Sequence, residues 1–303
     1  MSYLFLLVLA TQLKTANGTL HGTLLIPRSK APMPVVLLIS GSGPTDRDGN
    51  SAGLPGKNDS LKMLAEGLAA KGIASLRYDK RGIGESRNVG PEEKDLRFEM
   101  YVDDAAAWAR KLKRDRRFSR LVIVGHSEGA LIGTIAAQRG AADALVSIAG
   151  VGRTADLMLR MQLVGRLPPD LRGASDRTLD ALKSGRTVDD IPQSLFVLYR
   201  PSIQPYLISW FRYDPVAEVK KLTIPVLVVQ GTTDIQVSVD DARAIAAAKS
   251  DTKLELIDGM NHVLKMVADS SMQLASYSDP TLPIAPRLID AIVAFVVDHA
   301  ARR

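Results

Sequence analysis

From residue 35 onward, short apolar runs alternate with stretches of helical period, and this alternation limits the fold more than any other feature. Residues 35–39, 74–78, 121–124, 144–149 and 226–230 read as strands, several of them apolar throughout, as strands buried on both faces are. Residues 61–70, 101–112 and 130–139 carry helical spacing between them. Strands and helices alternating in this way predict βαβ units and an α/β fold, with a mostly parallel sheet and helices on both faces. A helix at 240–248, a strand at 253–257 and a closing helix at 286–299 continue the pattern.

Two departures from the alternation matter. Residues 1–10 (MSYLFLLVLA) are apolar enough for a signal-peptide core, but no Lys or Arg precedes the run and no clear cleavage site follows. They fit a first strand better, paired with an alternating strand at 19–26 through a turn at Asn17-Gly18. Cytoplasmic residence is therefore expected, with export as the alternative. The second departure is residues 151–222, where helical patterns at 155–164 and 177–183 are broken by Pro168, Pro169, Pro192, Pro201 and Pro205. A structureless loop of that length is improbable in a compact domain. The segment reads as a helical cap (lid) inserted between residues 1–150 and 223–303, which form the catalytic core.

Composition excludes several classes. With no cysteine, there is no disulfide framework, no thiolate zinc site and no cysteine nucleophile. The net charge of +6 is modest and the aromatic share is 5%, so the basic run at 110–120 reads as a solvated helix end and no nucleic-acid partner is expected. No apolar stretch is long enough to span a membrane. The Gly-containing turns at 41–50 and 79–86 lack both phosphate-loop patterns. The four histidines are scattered, and Asp46 and Asp48 flank Arg47 as turn residues, so neither a metal nor a cofactor is expected.

The chemistry centres on Gly125-His126-Ser127-Glu128-Gly129, a G-x-S-x-G pentapeptide with a strand before it and a helix after it. A sharp strand-to-helix turn strains the backbone at the serine, so small residues must flank it. The turn also places the hydroxyl beside a helix N-terminus, which favours developing negative charge. Ser127 is therefore the expected nucleophile.

A serine hydroxyl needs a base, most often histidine. His126 lies inside the turn pointing away from Ser127, while His21 and His299 read as packing or surface residues. His262 follows the strand at 253–257, at the sheet end where ligand-binding loops gather, and is the expected base. Asp234 follows the preceding strand through Gly231-Thr232-Thr233 and is the expected acid, orienting the imidazole and stabilising the imidazolium. Its rivals are Asp240, which reads as a helix N-cap, and Asp241, in the first turn of that helix.

The oxyanion of acyl transfer needs preorganised N–H donors. The backbone of Glu128 is expected to supply one, and that of Ser42, in Ser40-Gly41-Ser42-Gly43-Pro44, the other, with Gly43 as the alternative. Gly41, Gly43, Leu157, Met161, Phe196, Tyr206 and Trp210 are the expected substrate-binding residues. Glu128 has two readings: a carboxylate exposed in the pocket to attract a substrate ammonium, or one that solvates a helix start.

Six segments carry a family resemblance: GTLHGTLLIP, ISGSGPTDRDGN, RYDKRGIGES, VGHSEGALI, QGTTDIQV and GMNHVLK. Through them the chain resembles the α/β-hydrolase superfamily over nearly its whole length. Within it, the chain is similar to capped bacterial hydrolases grouped with serine aminopeptidases and dienelactone hydrolases. The order Ser127, Asp234, His262 is the order of that superfamily. The resemblance implies an eight-stranded sheet, a helical cap after the strand ending near Ala149, esterase-type activity without a cofactor, and a structural loop holding Asp79 and Arg81. The expected function is thus a serine carboxylesterase hydrolysing small to medium acyl esters, small-molecule substrates, by a Ser-His-Asp acyl-enzyme mechanism, as a monomer or homodimer. Two other readings stay open: an enzyme with the same triad, either an acyl-CoA thioesterase served by Arg153, Arg160 and Arg166 or an aminopeptidase-like amide or peptide hydrolase, and a non-catalytic receptor.

Overall fold

The computed structural model describes residues 6–267 and 270–298, so the readings for residues 1–5 and for His299 lie outside the described residues. The strands are β1 (Leu6–Thr15), β2 (Gly18–Pro27), β3 (Met33–Ile39), β4 (Ala74–Tyr78), β5 (Phe118–His126), β6 (Ala144–Ile148), β7 (Val226–Gly231) and β8 (Lys253–Ile257). They form one 8-stranded sheet in the order β1-β2-β4-β3-β5-β6-β7-β8. β2 pairs antiparallel with both β1 and β4, and the other pairings are parallel. The run at 6–10 is therefore strand, pairing Leu6 with Pro27 and Ala10 with Thr23.

Helices fill the intervals: α1 (Ser60–Ala70), α2 (Phe98–Lys113), α3 (Glu128–Ala136), α4 (Ala155–Leu163), α5 (Pro169–Lys183), α6 (Phe196–Tyr199), α7 (Gln204–Trp210), α8 (Pro215–Lys220), α9 (Val239–Ala247), α10 (Gln273–Ser276) and α11 (Pro286–Asp298). The apolar strands are explained by two cores. Val35, Leu37, Ile39, Leu121, Ile123 and Leu145 face one, with α2 and α3, while Val36, Leu38, Val122, Val124 and Val146 face the other, with α1 and α11. Both faces are covered, which is why these strands are apolar over most of their length, with Ser147 of β6 a buried polar exception.

Between β6 and β7 the chain makes α4 to α8, and Met158, Leu179, Leu207, Trp210 and Val219 join the same core as α2 and α3. α5 starts at Pro169, well before the expected 177, because proline is compatible with the first turn of a helix, where its missing N–H costs nothing. Register brings the C-terminal ends of the central strands level: Ile39 lies opposite Gly125, His126 opposite Ile148, and Gly231 opposite Ile257. Among the described residues no helix is long and apolar enough to cross a membrane.

Candidate active site

Ser127 sits between β5 and α3 with φ 55° and ψ −122°, a conformation costing a non-glycine residue on the order of 1–3 kcal/mol. Its neighbours enforce it. A Cβ on Gly125 would lie 2.1 Å from the Gly129 carbonyl oxygen, and one on Gly129 would lie 2.3 Å from that of Ile39. The Ser127 N–H donates to the Ile148 carbonyl at 2.9 Å, and the Ser127 carbonyl accepts from Ala130 N–H at 3.0 Å. Every residue of α3 is buried, so the turn rests on a helix that has no freedom to shift.

Asp234 and His262 are brought together by a close approach of two chain segments. A Cβ on Gly231 would lie 1.9 Å from the Met260 carbonyl oxygen, and Thr232 and Thr233 donate to the carbonyls of Ile257 and Met260. The result is a 2.9 Å contact between His262 Nδ1 and Asp234 Oδ2, with both side chains almost wholly buried. Asp234 Oδ1 accepts the N–H groups of Gln236 and Val237 at 2.7 and 3.0 Å, and Oδ2 accepts from Gln230 at 3.1 Å. Burial pushes its carboxyl up, but His262 and the N–H groups of Val237 and Gln236 outweigh that and hold it below the ordinary 3.8. A carboxylate at Nδ1 requires the proton there, which leaves Nε2 free to accept one.

The rival carboxylates are otherwise engaged. The N-cap of α9 is Ser238, not Asp240, because Ser238 and Asp241 form a reciprocal capping box. Asp240 is exposed beside Arg243, while Asp241 binds Arg153 and the Gly152 N–H.

Sequence reasoning gave His126 no role in the site, yet its Nε2 lies 2.8 Å from the His262 carbonyl oxygen and its ring 4.8 Å from the His262 ring. Asn261 was missed too. Its amide donates to Ser276 Oγ at 2.7 Å, and its Oδ1 accepts from Lys265 N–H, which pins the loop carrying His262. Asp79 accepts from Arg47 and Glu85 N–H, while Arg81 forms a two-pronged pair with Asp104. Those two residues brace the loop after β4.

Gly41 stands against Ser127: a Cβ there would lie 3.2 Å from Ser127 Cβ. Ser42 and Gly43 are exposed, and Gly43 has φ 69° with open space around it. Among the described residues no group of three or more His, Cys, Asp or Glu side chains is placed to hold a metal ion.

Residues 53–266 match the family described as Serine aminopeptidase, S33. The chain belongs to that family. Esterase EstD of Thermotoga maritima is 33% identical over 253 residues, covering 82% of this chain and 59% of that protein, so the chain spans less than two thirds of its relative's length. Est1E from Butyrivibrio proteoclasticus, solved with ferulic acid bound, shares the α/β-hydrolase fold at 19% identity and TM-score 0.64, over 97% of this chain and all of that one. A thermophilic esterase from Thermogutta terrifontis shares it at 17% identity and TM-score 0.58, over 97% and 100% of the two chains.

In this S33-family chain a cavity of about 20 Å³ opens beside Ser127, lined by Glu128, Leu131, Val151, Arg153, Ala155, Met158, Trp210 and Pro215. A second, of about 190 Å³, adjoins it and is lined by Met161, Gln162, Asp234 and Gln236 among others. This corrects the expected lining. Trp210 borders the first cavity and Met161 the second, whereas Leu157 and Phe196 line neither and are partly exposed. Tyr206 is buried, and its hydroxyl binds the Glu128 carboxylate. Both readings of Glu128 are corrected: its side chain is 2% exposed and ion-paired with Lys80 at 3.0 Å, so the carboxylate neither solvates the helix start nor stands exposed to a substrate ammonium.

Proposed function

We propose that the chain is a serine carboxylesterase of short acyl groups, with Ser127 as nucleophile, His262 as base and Asp234 as the carboxylate that orients it. The observation carrying this reading is the strained Ser127 backbone, which raises the hydroxyl at the sheet end where the Asp234–His262 pair lies. The Ser127 hydroxyl attacks the ester carbonyl as His262 Nε2 takes its proton. The tetrahedral oxyanion meets the N–H groups of Ser42 and Glu128, the latter at the start of α3, where no intrahelical acceptor exists. Collapse returns the proton to the departing alcohol and leaves the acyl group on Ser127. His262 then deprotonates a water that releases the acid.

The small cavity beside Ser127 suits the acyl group and the wider one the alcohol, with residues 151–222 acting as the cap over both. A binding site for acyl-CoA would draw on free cations, and of the three arginines considered Arg153 pairs with Asp241 and Arg160 with Asp176 and Asp180, which leaves the exposed Arg166 to serve it. The aminopeptidase alternative loses its anchor with the buried Glu128. Ser127→Ala is expected to abolish hydrolysis of p-nitrophenyl acetate, and labelling by a fluorophosphonate, in a protein that still folds. Retained hydrolysis in that variant would overturn the proposal.

A further inference from the structure

We propose that Lys80 is a positioning residue for the oxyanion hole, fixing the rotation of the Gly41–Ser42 peptide so that the Ser42 N–H is presented to the reacting centre. This rests on the esterase reading above. Lys80 follows β4, and its side chain is 2% exposed. Its ammonium donates to the Gly41 carbonyl and to Glu128 Oε2, and lies 5.2 Å from the centre of the Tyr101 ring. In a trans peptide the carbonyl and the following N–H point to opposite sides. Holding the Gly41 oxygen toward Lys80 therefore turns the Ser42 N–H away from Lys80. The peptide concerned is the one packed against Ser127, since a Cβ on Gly41 would touch the Ser127 side chain.

Thr45 holds the next two peptides, its hydroxyl donating to the Ser42 carbonyl and its N–H to the Gly43 carbonyl, while the Gly41 carbonyl is bonded by Lys80. Gly41 and Gly43 have no side chains to lock the backbone, and the surroundings of Gly43 are open. The two groups that Lys80 reaches belong to the two proposed donors: the carbonyl of the Ser42 peptide and the side chain of Glu128. Glu128 is held in turn by the Tyr206 hydroxyl from α7, so α7 completes the arrangement. Fold stability alone gives no reason for such a pair, because well-packed apolar residues in place of a buried ion pair are often neutral or stabilising.

The test compares wild type with Lys80→Met, which keeps length and shape but not the donors. Wild type must first be labelled by a fluorophosphonate at Ser127. Without that labelling the esterase reading itself falls and takes this proposal with it. In Lys80→Met, kcat for p-nitrophenyl acetate is expected to fall by about 100-fold with KM nearly unchanged. The inhibition constant of a trifluoromethyl ketone, which adds to the serine as a hemiketal oxyanion, is expected to rise by the same factor. A folded variant whose ketone affinity matches wild type overturns the proposal, whether or not kcat has fallen, and leaves the esterase reading standing. Should Lys80→Met not fold, Glu128→Gln keeps the backbone donor but weakens the anchor of Lys80. It is expected to show the same parallel loss at about tenfold, and unchanged ketone affinity there is equally decisive against it.

Discussion

The imidazole Nε2 of His126 lies 2.8 Å from the carbonyl oxygen of His262. A carbonyl only accepts, so this nitrogen carries the proton, and the ring that precedes Ser127 ties down the residue proposed as base. Burial pushes the His126 pKa from the ordinary 6.5 to about 3, with the neighbouring His262 adding to the effect.

A pH dependence follows from that shift. Between about pH 6.5 and 3 the unfolded chain binds a proton at His126 that the folded chain does not, so stability rises with pH across this window. The contribution is complete above about 6.5 and is lost as pH falls toward 3. Urea unfolding of wild type and His126→Gln at a series of pH values should show a shallower acid loss in the variant, the slopes differing by up to about 1.4 kcal/mol per pH unit. Parallel curves would remove this account of His126.

Asp234→Asn tests the orientation of His262. The Asn oxygen can still accept from Gln236 and Val237, so the loop should hold. Its amide would then face His262 Nδ1, which must give up its proton to Nε2, the tautomer unable to act as base toward Ser127. A kcat loss of about 10⁴-fold on p-nitrophenyl acetate is expected, with a melting temperature near that of wild type. A loss under tenfold would count against the assigned role.

The turn at Ser127, the sheet and the Asp234–His262 contact could be read from the chain because each is written locally: a pentapeptide between two periodic segments, or a loop directly after an apolar strand. The N-cap of α9 was misassigned although its signal was present, since Ser238 and Asp241 stand at capping-box spacing. Other features had no local signal. Lys80 and Glu128 are 48 positions apart, and no pattern in either segment marks them as partners. The cavity lining depends on how α4 and α7 dock against α3, which helical period alone does not specify. That is why Leu157 and Phe196 look apolar and available in sequence yet lie outside both cavities.

Gly125→Ala tests whether the turn tolerates a side chain. The added methyl would lie 2.1 Å from the Gly129 carbonyl oxygen and 2.5 Å from Ala130 Cα, backbone atoms of the buried α3 that cannot step aside. Such overpacking costs typically 1–3 kcal/mol, and here the upper end, about 3 kcal/mol or more, is expected in denaturant unfolding. Esterase activity should fall as well, because any relief of the clash moves Ser127. A variant with wild-type stability would show that the turn can open without cost.

If the acyl group occupies the cavity beside Ser127, as proposed, that cavity sets its length. About 20 Å³ is room for one water-sized group, so an acetyl methyl fits and a butyryl chain must displace the walls. Those walls differ in stiffness. Trp210 is stacked on Phe98 with rings 6.2 Å apart and 9° from parallel, whereas Met158 is an unbranched side chain on α4. Shortening the methionine should therefore open the cavity without disturbing the aromatic wall. In wild type, kcat/KM for p-nitrophenyl acetate is expected to exceed that for the butyrate by about tenfold or more. Met158→Ala should bring the two within a few-fold of each other, mainly by raising turnover of the butyrate. A wild-type preference for butyrate, or a ratio unmoved by Met158→Ala, would place the acyl group elsewhere, with the 190 Å³ cavity beside Asp234 the next site to probe through Met161 and Gln162.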